Sequence, residues 1–236
     1  MSKYKQVISL GYFCSTAEEI KRIGLRKASY PFDWVRCASF EKAVALIETN
    51  FQDFFTYDCF YQMKIDPCYY VNRRFAVEFY HDFSMYRPLE KQFDKFKEKY
   101  ERRIRRFYED ISSPTLFIRY LSRFDIEYVK QNNERIRALI KSFNSDNEIL
   151  YVCHESFDLG DISAFYVKND EGDTVARSFL EQCLELKKYM LDNVEPVTTT
   201  GRRSEGAFGK IRRKISSAIR KIFRKLGLYY RHSKTV

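Results

Sequence analysis

The sequence predicts an α/β fold in which a mixed or mostly parallel sheet is flanked by helices. Short apolar runs of strand length alternate with segments of helical periodicity over residues 1–195, as they do in βαβ units. The 236 residues, of which 44% are apolar and 17% aromatic, are enough to bury one sizeable core. We therefore expect a single domain at 1–195.

The predicted elements follow one another as strands and helices, with one aromatic interruption. In chain order they are a strand at 6–10, a helix at 15–23 closed by Gly24, a helix at 40–49, an aromatic strand-like stretch at 59–83, a helix at 88–111, a strand at 115–120, a helix at 126–143, strands at 149–153 and 164–168, and a helix at 174–191. The helix at 88–111 is the clearest, because Phe93, Phe96 and Tyr100 belong to an apolar stripe at spacings of three and four. Such a stripe faces a core.

Basic residues are concentrated at the end of the chain. The formal charge is +10, yet residues 202–236 hold 12 Lys and Arg against one acidic side chain, while the other residues hold 30 basic and 31 acidic ones. The nearly neutral body argues against a nucleic-acid groove on the domain. Residues 196–209 have the composition of a linker, and an apolar stripe on a basic background predicts an amphipathic helix at 210–228, followed by a tail at 229–236.

The basic helix suits the surface of an anionic membrane. An acidic protein or nucleic acid could use the same charges, nucleic acid being the less favoured, and the helix could also dock on the domain. Neither a signal-peptide pattern nor an apolar run near the roughly 18 residues of a membrane span occurs. The six cysteines are scattered without zinc-site spacing, so we expect no metal and a cytoplasmic protein, peripheral on the inner face of the plasma membrane where the helix binds.

Cys14 lies four residues after the apolar run at 7–10 and directly before Ser15, where the predicted helix begins. A thiol at a strand-to-helix turn is close to the backbone N–H groups and dipole of the helix N-terminus, which favour the thiolate over the thiol. Thiolates attack carbonyl carbons. The alternative is a small buried apolar residue that closes a tight turn.

Two further groups could contribute to a site. In the segment 29–34, Pro31 excludes the helical conformation from the residue before it, and Asp33 and Trp34 could line a pocket. Alternatively, Trp34 anchors the core while Asp33 caps the helix near Ser39. The second group is His81, which could take the proton of a thiol, next to Asp82, which could fix the imidazole tautomer.

His154 competes with His81 for the role of base, because it ends a predicted strand and sites in α/β proteins gather at the carboxyl ends of strands. The third histidine, His232, lies in the basic tail and is a poor candidate. Asn132 and Asn133 follow His81 in the order that a Cys, His, Asn triad would need, but they lie on a predicted amphipathic helix.

Several short motifs together resemble those of a bacterial domain of unknown function whose members are described as papain-like cysteine peptidases. They are Ile8-Ser9-Leu10-Gly11, Cys14 and Ala17, then Gly24-Leu25-Arg26, Ser29, Pro31-Phe32-Asp33-Trp34, His81-Asp82-Phe83 and Phe117-Ile118-Arg119. The resemblance covers about residues 5 to 155. It implies a papain-like or Rossmann-like domain with Cys14 as nucleophile and His81 as general base, oriented by Asp82 or Asp33.

The resemblance also implies a link to surface polysaccharide biosynthesis, and coenzyme A as an acyl donor in an alternative acyltransferase activity. We expect Gly11, Asp33, Trp34 and Arg119 to contact a small-molecule, peptide or saccharide substrate. A basic rim for the phosphates of coenzyme A could come from Arg26, Arg73, Arg74 or Arg119, although no glycine-rich phosphate loop supports it. A rival function is that of a non-catalytic assembly factor, tethered to the membrane by the basic helix.

One departure from papain concerns the oxyanion site. The residue six positions before Cys14 is Ile8, where papain has a glutamine, and Gln6 lies two residues further back. Backbone N–H groups near Cys14 would therefore have to stabilise the oxyanion. The sequence leaves open whether water or another nucleophile accepts the acyl group.

Overall fold

The computed structural model of the protein describes residues 2–64, 68–84, 86–168 and 178–197. The predicted amphipathic helix at 210–228, the tail at 229–236 and most of the linker lie outside the described residues. In the part that is described, no helix is both long enough and apolar enough to cross a membrane.

Strands and helices alternate along the chain as the hydrophobic pattern predicts. They are β1 (Gln6–Ser9), α1 (Cys14–Arg22), β2 (Arg36–Cys37), α2 (Phe40–Glu48), β3 (Phe60–Met63), β4 (Tyr69–Asn72), β5 (Val77–Phe79), α3 (Glu90–Ile111), β6 (Thr115–Tyr120), α4 (Ile126–Phe143), β7 (Glu148–His154), β8 (Ala164–Val167), α5 (Phe179–Gln182) and α6 (Leu184–Asn193). Short 3₁₀ turns occupy Tyr57–Cys59 and Arg123–Asp125.

The central sheet is parallel, with strand order β1-β6-β7-β8. Its inner strands are covered on both faces, so β6 reads as an almost continuous apolar run. Ile8 and Phe117 pack with α2, α3 and α4 on one face, and Val7 and Ile118 pack with α1, α5 and α6 on the other. The expected α/β fold with a parallel sheet between helices is confirmed.

A second, antiparallel sheet has the order β2-β5-β4-β3. It accounts for the aromatic stretch that the sequence predicts as strand-like. Its apolar face packs on α3, where the ring of Phe96 lies 5.0 Å from that of Phe79 and 5.5 Å from that of Phe60, centroid to centroid. Aromatic edge-to-face contacts of this kind add to the burial of large apolar surfaces. The two-residue strand β2 has no signal in the sequence.

The helix predicted at 174–191 differs from what is observed. Residues 174–177 lie outside the described residues, and the remainder forms α5 and α6 with a break at Cys183 (φ −112°, ψ 77°). Leu180 and Leu186 are both fully buried in the same apolar cluster, so the segments on both sides of the break pack against the sheet.

Candidate active site

Cys14 is the first residue of α1 and lies just beyond the carboxyl end of β1. The capping residue, Phe13, is extended and its side chain makes no capping hydrogen bond; the first turn of the helix carries no acidic side chain. The positive end of the helix dipole is therefore not offset by a carboxylate of its own first turn. The half-buried Cys14 lies at the strand-to-helix turn that the sequence predicts.

The loop before Cys14 is held by Arg119, whose side chain has no exposed surface. Its Nη1 donates to the carbonyl of Leu10 (2.9 Å), and its Nη2 donates to the carbonyl of Cys37 (3.2 Å) and to Oδ2 of Asp125 (2.8 Å). One guanidinium thus ties together the end of β1, strand β2 and the turn after β6. Contact between Arg119 and a substrate would require this arrangement to open.

Asp125 is the carboxylate partner of Arg119. In addition to the guanidinium, backbone N–H groups bind both of its carboxylate oxygens. Oδ1 accepts from the N–H of Phe40 (2.8 Å), and Oδ2 accepts from the N–H of Ser122 (3.1 Å). Charge-assisted bonds of this kind offset the cost of burying the carboxylate. Both oxygens of Asp125 are therefore hydrogen-bonded in the interior.

Gly11 allows the guanidinium of Arg119 to lie close to the loop before Cys14. Its φ is +87°, a conformation that side chains disfavour, and a Cβ there would lie 3.0 Å from Nη1 of Arg119. Gly11 is thus required by the backbone at this position. Contact between this residue and a substrate stays a prediction.

Asp33 is buried and bound within its own loop. Its carboxylate accepts from Nη2 of Arg26 (2.6 Å) and from the N–H of Tyr30 (2.9 Å). Burial raises the pKa of Asp33, and the guanidinium of Arg26 opposes this rise. The alternative in which Asp33 caps the next helix is wrong, because the side chain of Ser39 itself accepts from the N–H of Lys42 (3.3 Å).

Trp34 is half-buried and forms part of the same loop. The guanidinium of Arg26 lies over the indole ring at 4.9 Å, and Nε1 donates to Oγ of Ser29 (3.5 Å). The loop at 29–34 is therefore held together by Arg26, which bonds Asp33 and covers Trp34. The expected contacts of Asp33 and Trp34 with a substrate stay predictions.

His81 follows β5 and is exposed. Asp82 beside it is bound to α3, since its carboxylate accepts from Nζ of Lys99 and from the hydroxyl of Tyr100 (3.0 Å). Its side chain is only 2% exposed. Asp82 thus fixes the chain next to His81 to the long helix, and its predicted role in orienting the imidazole stays a prediction.

His154 ends β7 at the carboxyl edge of the parallel sheet, as the sequence predicts. Its Nδ1 lies 2.7 Å from Oγ of Ser156, and its Nε2 lies 3.0 Å from the carbonyl of Lys168. A carbonyl can only accept, so Nε2 carries the proton and Nδ1 accepts from the serine. Both ring nitrogens are therefore occupied locally.

The remaining candidates for an oxyanion donor or a triad amide lie elsewhere. The amide of Gln6 donates to the carbonyl of Asp110 (2.5 Å) and to Oγ1 of Thr115 (2.8 Å) at the start of β6. Gln6 therefore lies at the amino ends of the parallel strands, whereas Cys14 lies beyond the carboxyl end of β1. The amide of Asn132 donates to the carbonyl of Tyr128 within α4 (3.0 Å). Backbone N–H groups at the start of α1 remain the expected oxyanion donors.

Sequence reasoning missed the ion pair between Arg36 and Glu78, which lie opposite each other on β2 and β5. Nη1 of Arg36 donates to Oε1 of Glu78 (2.8 Å), and Nη2 donates to the hydroxyl of Tyr12 (2.7 Å). Because β2 has only two residues, no periodicity could reveal the pairing. Asp125 had a signal, since Ser122 and Asp125 form a capping box.

Residues 5–156 match the family model described as "Putative papain-like cysteine peptidase (DUF1796)". This match covers more than half of the chain. The chain belongs to this family. The matched range includes Cys14, His81, Asp82, Arg119 and His154, and it agrees with the extent of the resemblance found in the sequence.

A viral protein is a further relative of this family member. It is "Uncharacterized protein R408" of Acanthamoeba polyphaga mimivirus, 28% identical over 185 residues, which are 64% of this chain and 78% of the viral protein. The bacterial origin suggested by the resemblance is thus not shown. No solved structure matches the chain significantly.

In this family member, three of the four arginines proposed as a rim for coenzyme A are buried or paired with a carboxylate. Arg119 is fully buried, and Arg26 is 13% exposed and bound to Asp33. Arg74 is half-exposed but pairs with Asp53 (2.9 Å). Among the described residues, no group of three or more His, Cys, Asp and Glu could hold a metal ion.

Proposed function

We propose that this family member is a thiol-dependent acyl-transfer enzyme, a cysteine hydrolase of the peptidase type, with Cys14 as the nucleophile. The observation that carries the proposal is the position of Cys14 at the first residue of α1, just beyond the carboxyl end of a buried parallel strand. The family description supports the same chemistry. The loop that leads to Cys14 is held by Arg119, which binds the carbonyl of Leu10 and the carboxylate of Asp125.

The helix N-terminus supports two tasks at once. Its dipole favours the thiolate of Cys14, and the backbone N–H groups at its start can donate to the oxyanion that forms when the thiolate attacks a carbonyl. The first turn contains Ser15, Thr16 and Ala17, none of which carries negative charge. No carboxylate of that turn competes with the oxyanion.

His81 is the base that we propose. It is exposed, and no hydrogen bond to its ring is found within the described part of the chain, so both nitrogens are available to a thiol and a leaving group. His154 would first have to release Ser156 or the carbonyl of Lys168. This difference favours His81.

The reaction begins when the imidazole of His81 takes the proton of the Cys14 thiol. The thiolate sulfur then forms a bond to the acyl carbon, the bond from that carbon to the leaving group breaks, and the imidazolium returns the proton to the leaving group. Water hydrolyses the resulting thioester, giving a carboxylic acid and the free thiol. Proton transfer of this kind contributes about 10²–10⁴ in rate.

The test is the rate of alkylation of each cysteine by iodoacetamide as a function of pH, read by mass spectrometry. We expect an apparent pKa of Cys14 clearly below the ordinary value of about 8.5, and a higher value in His81→Ala. Cys59 and Cys68 are half-buried like Cys14 and serve as internal references. His154→Ala is the matched histidine control, and we expect the Cys14 profile to stay as in the wild type.

Two outcomes would contradict the proposal. If Cys14 titrates together with Cys59 and Cys68 in the wild type, the nucleophile is wrong. If His154→Ala changes the Cys14 profile and His81→Ala leaves it as it is, the nucleophile stands and the base is His154. A stoichiometric burst of p-nitrophenol from p-nitrophenyl acetate, absent in Cys14→Ala, would add direct support for acyl transfer.

A further inference from the structure

We propose that Arg36 is a positioning residue for Cys14, because its guanidinium holds the two residues that precede the nucleophile and places a positive charge beside the start of α1. The inference rests on the proposed function of Cys14. It assigns a role to an ion pair that lies outside the expected site. Three observations carry it.

First, Arg36 contacts the loop before Cys14 in two ways. Its Nη2 donates to the hydroxyl of Tyr12 (2.7 Å), and its guanidinium carbon lies 5.2 Å from the ring centre of Tyr12 and 5.8 Å from that of Phe13. Cations over aromatic faces are attracted by the ring quadrupole. Arg36 therefore fixes both residues that lead into α1.

Second, strand β2 carries Arg36 to this place through backbone pairing on both sides. The N–H of Cys37 donates to the carbonyl of Tyr12 (2.8 Å), and Arg36 lies opposite Glu78 in the antiparallel pair β2–β5. The planar guanidinium is shared between Tyr12 and Glu78, and these two hydrogen bonds hold it next to the loop. The charge has a fixed position next to the loop.

Third, the ion pairs around Arg36 and α1 place further charges near the loop. The guanidinium faces Glu78 on β5 and the hydroxyls of Tyr12 and Tyr80, of which Tyr80 donates to Oε2 of Glu78 (2.7 Å). On α1 the acidic Glu19 lies in the second turn and is paired with Arg22, and Glu181 in α5 binds the same arginine. The side chains of Arg36 and Glu78 are 26% and 13% exposed, so solvent screens their charges only in part.

The opposite charges of the pair give a test with two signs. Arg36→Gln removes the cation and should raise the apparent pKa of Cys14 by about half a unit or more, slowing its alkylation at pH 7 about threefold. Glu78→Gln removes the anion and should lower that pKa. A role in folding alone would move both variants in the same direction.

Arg36→Lys separates charge from geometry. Lysine keeps the positive charge but cannot span Tyr12 and Glu78 with a planar fork. We expect its Cys14 profile to lie between those of the wild type and Arg36→Gln. Arg135→Gln is the matched control, since Arg135 binds both carboxylate oxygens of Glu48 (2.6 Å each) in a separate pair between α4 and α2, and its Cys14 profile should equal that of the wild type.

The failures of the two proposals are distinguishable. A wild-type Cys14 that titrates below Cys59 and Cys68, with an identical profile in Arg36→Gln, would overturn the role of Arg36 and leave the nucleophile in place. A wild-type Cys14 that titrates with the other two would overturn the nucleophile, and the difference between Arg36→Gln and wild type would still decide whether the charge acts on the thiol. If Arg36→Gln does not fold, Glu78→Gln decides: a lower Cys14 pKa supports the inference, and an unchanged or higher one contradicts it.

Discussion

Two arginine–carboxylate pairs hold the loop that leads to Cys14, and they differ mainly in burial. Arg119 and Asp125 have side chains that are 0% and 2% exposed, whereas Arg36 and Glu78 are 26% and 13% exposed. The buried pair binds backbone atoms of several segments, whereas the partly exposed pair binds two tyrosine hydroxyls; both guanidinium groups also lie near aromatic rings. Similar chemistry thus serves two environments.

The difference shows how the burial of an ion pair changes its contribution to folding and its effect on nearby titratable groups. In a dry interior the cost of removing charges from water is offset only when the charged groups are well hydrogen-bonded, so we expect the buried pair to tolerate the loss of either partner poorly. A partly exposed pair contributes less to folding, but its field still reaches nearby titratable groups. We expect the first pair to govern stability and the second to govern reactivity.

The largest expected effect comes from breaking the buried pair. Asp125→Asn keeps the shape of the side chain but leaves the guanidinium of Arg119 without a counter-charge, which should lower the free energy of unfolding by about 3–5 kcal/mol. Urea denaturation of the variant and the wild type measures this. A loss below about 1 kcal/mol would mean that the Arg119 charge is satisfied without the carboxylate.

The next prediction concerns two buried thiols, Cys37, whose carbonyl Arg119 binds, and Cys153. Burial raises the pKa of Cys37 to about 11 and that of Cys153 to about 12. At pH 8 the thiolate fraction of Cys37 should therefore be about 200-fold below that of an ordinary cysteine. Alkylation of the native protein should label Cys14 first and leave Cys37 and Cys153 unlabelled until the protein unfolds. Early labelling of Cys37 would show that the core beside Arg119 opens.

Gly11→Ala should have a smaller effect on the buried side of the loop. An alanine at φ +87° is strained, and its Cβ would lie 3.0 Å from Nη1 of Arg119, so we expect a loss of about 1–3 kcal/mol. Thermal unfolding followed by circular dichroism measures it. Gly24→Ala is the matched control and should lose less, because Gly24 has a similar φ of +80° and a methyl group added there would meet no atom within 4 Å.

The smallest expected effect comes from the partly exposed pair. Arg36→Gln should lower the free energy of unfolding by about 1–2 kcal/mol, because it removes two charge-assisted hydrogen bonds that solvent partly replaces. Arg135→Gln, in a more exposed pair, should lose at most about 1 kcal/mol. Urea midpoints of the two variants compare them directly. If Arg36→Gln loses as much as Asp125→Asn, the contrast between the two pairs is wrong.

The elements that carry the buried pair could be predicted from the sequence, but the contacts of Arg119 could not. The strand at 115–120 and the helix at 126–143 agree with β6 and α4 residue for residue, because buried parallel strands and amphipathic helices have strong local patterns. Arg119 lies in such a strand, and its charge in an apolar run marks it as unusual. The sequence predicts contact with a substrate, whereas the structure shows contact with the loop.

The amino-acid sequence by itself determined the alternation of strands and helices and the position of Cys14 at a strand-to-helix turn, because both depend on residues close together in the chain. It also determined the family, because family motifs are recognised by the identity and order of residues, without knowledge of spatial contacts. Only the tertiary structure decided that Arg119 meets Asp125 beneath Gly11, and that Arg36 meets Glu78 beside Tyr12. The second contact joins segments far apart in the chain, and the first, between residues six positions apart, depends on the turn that follows β6. Their partners are selected by burial and strand register, which no local periodicity encodes.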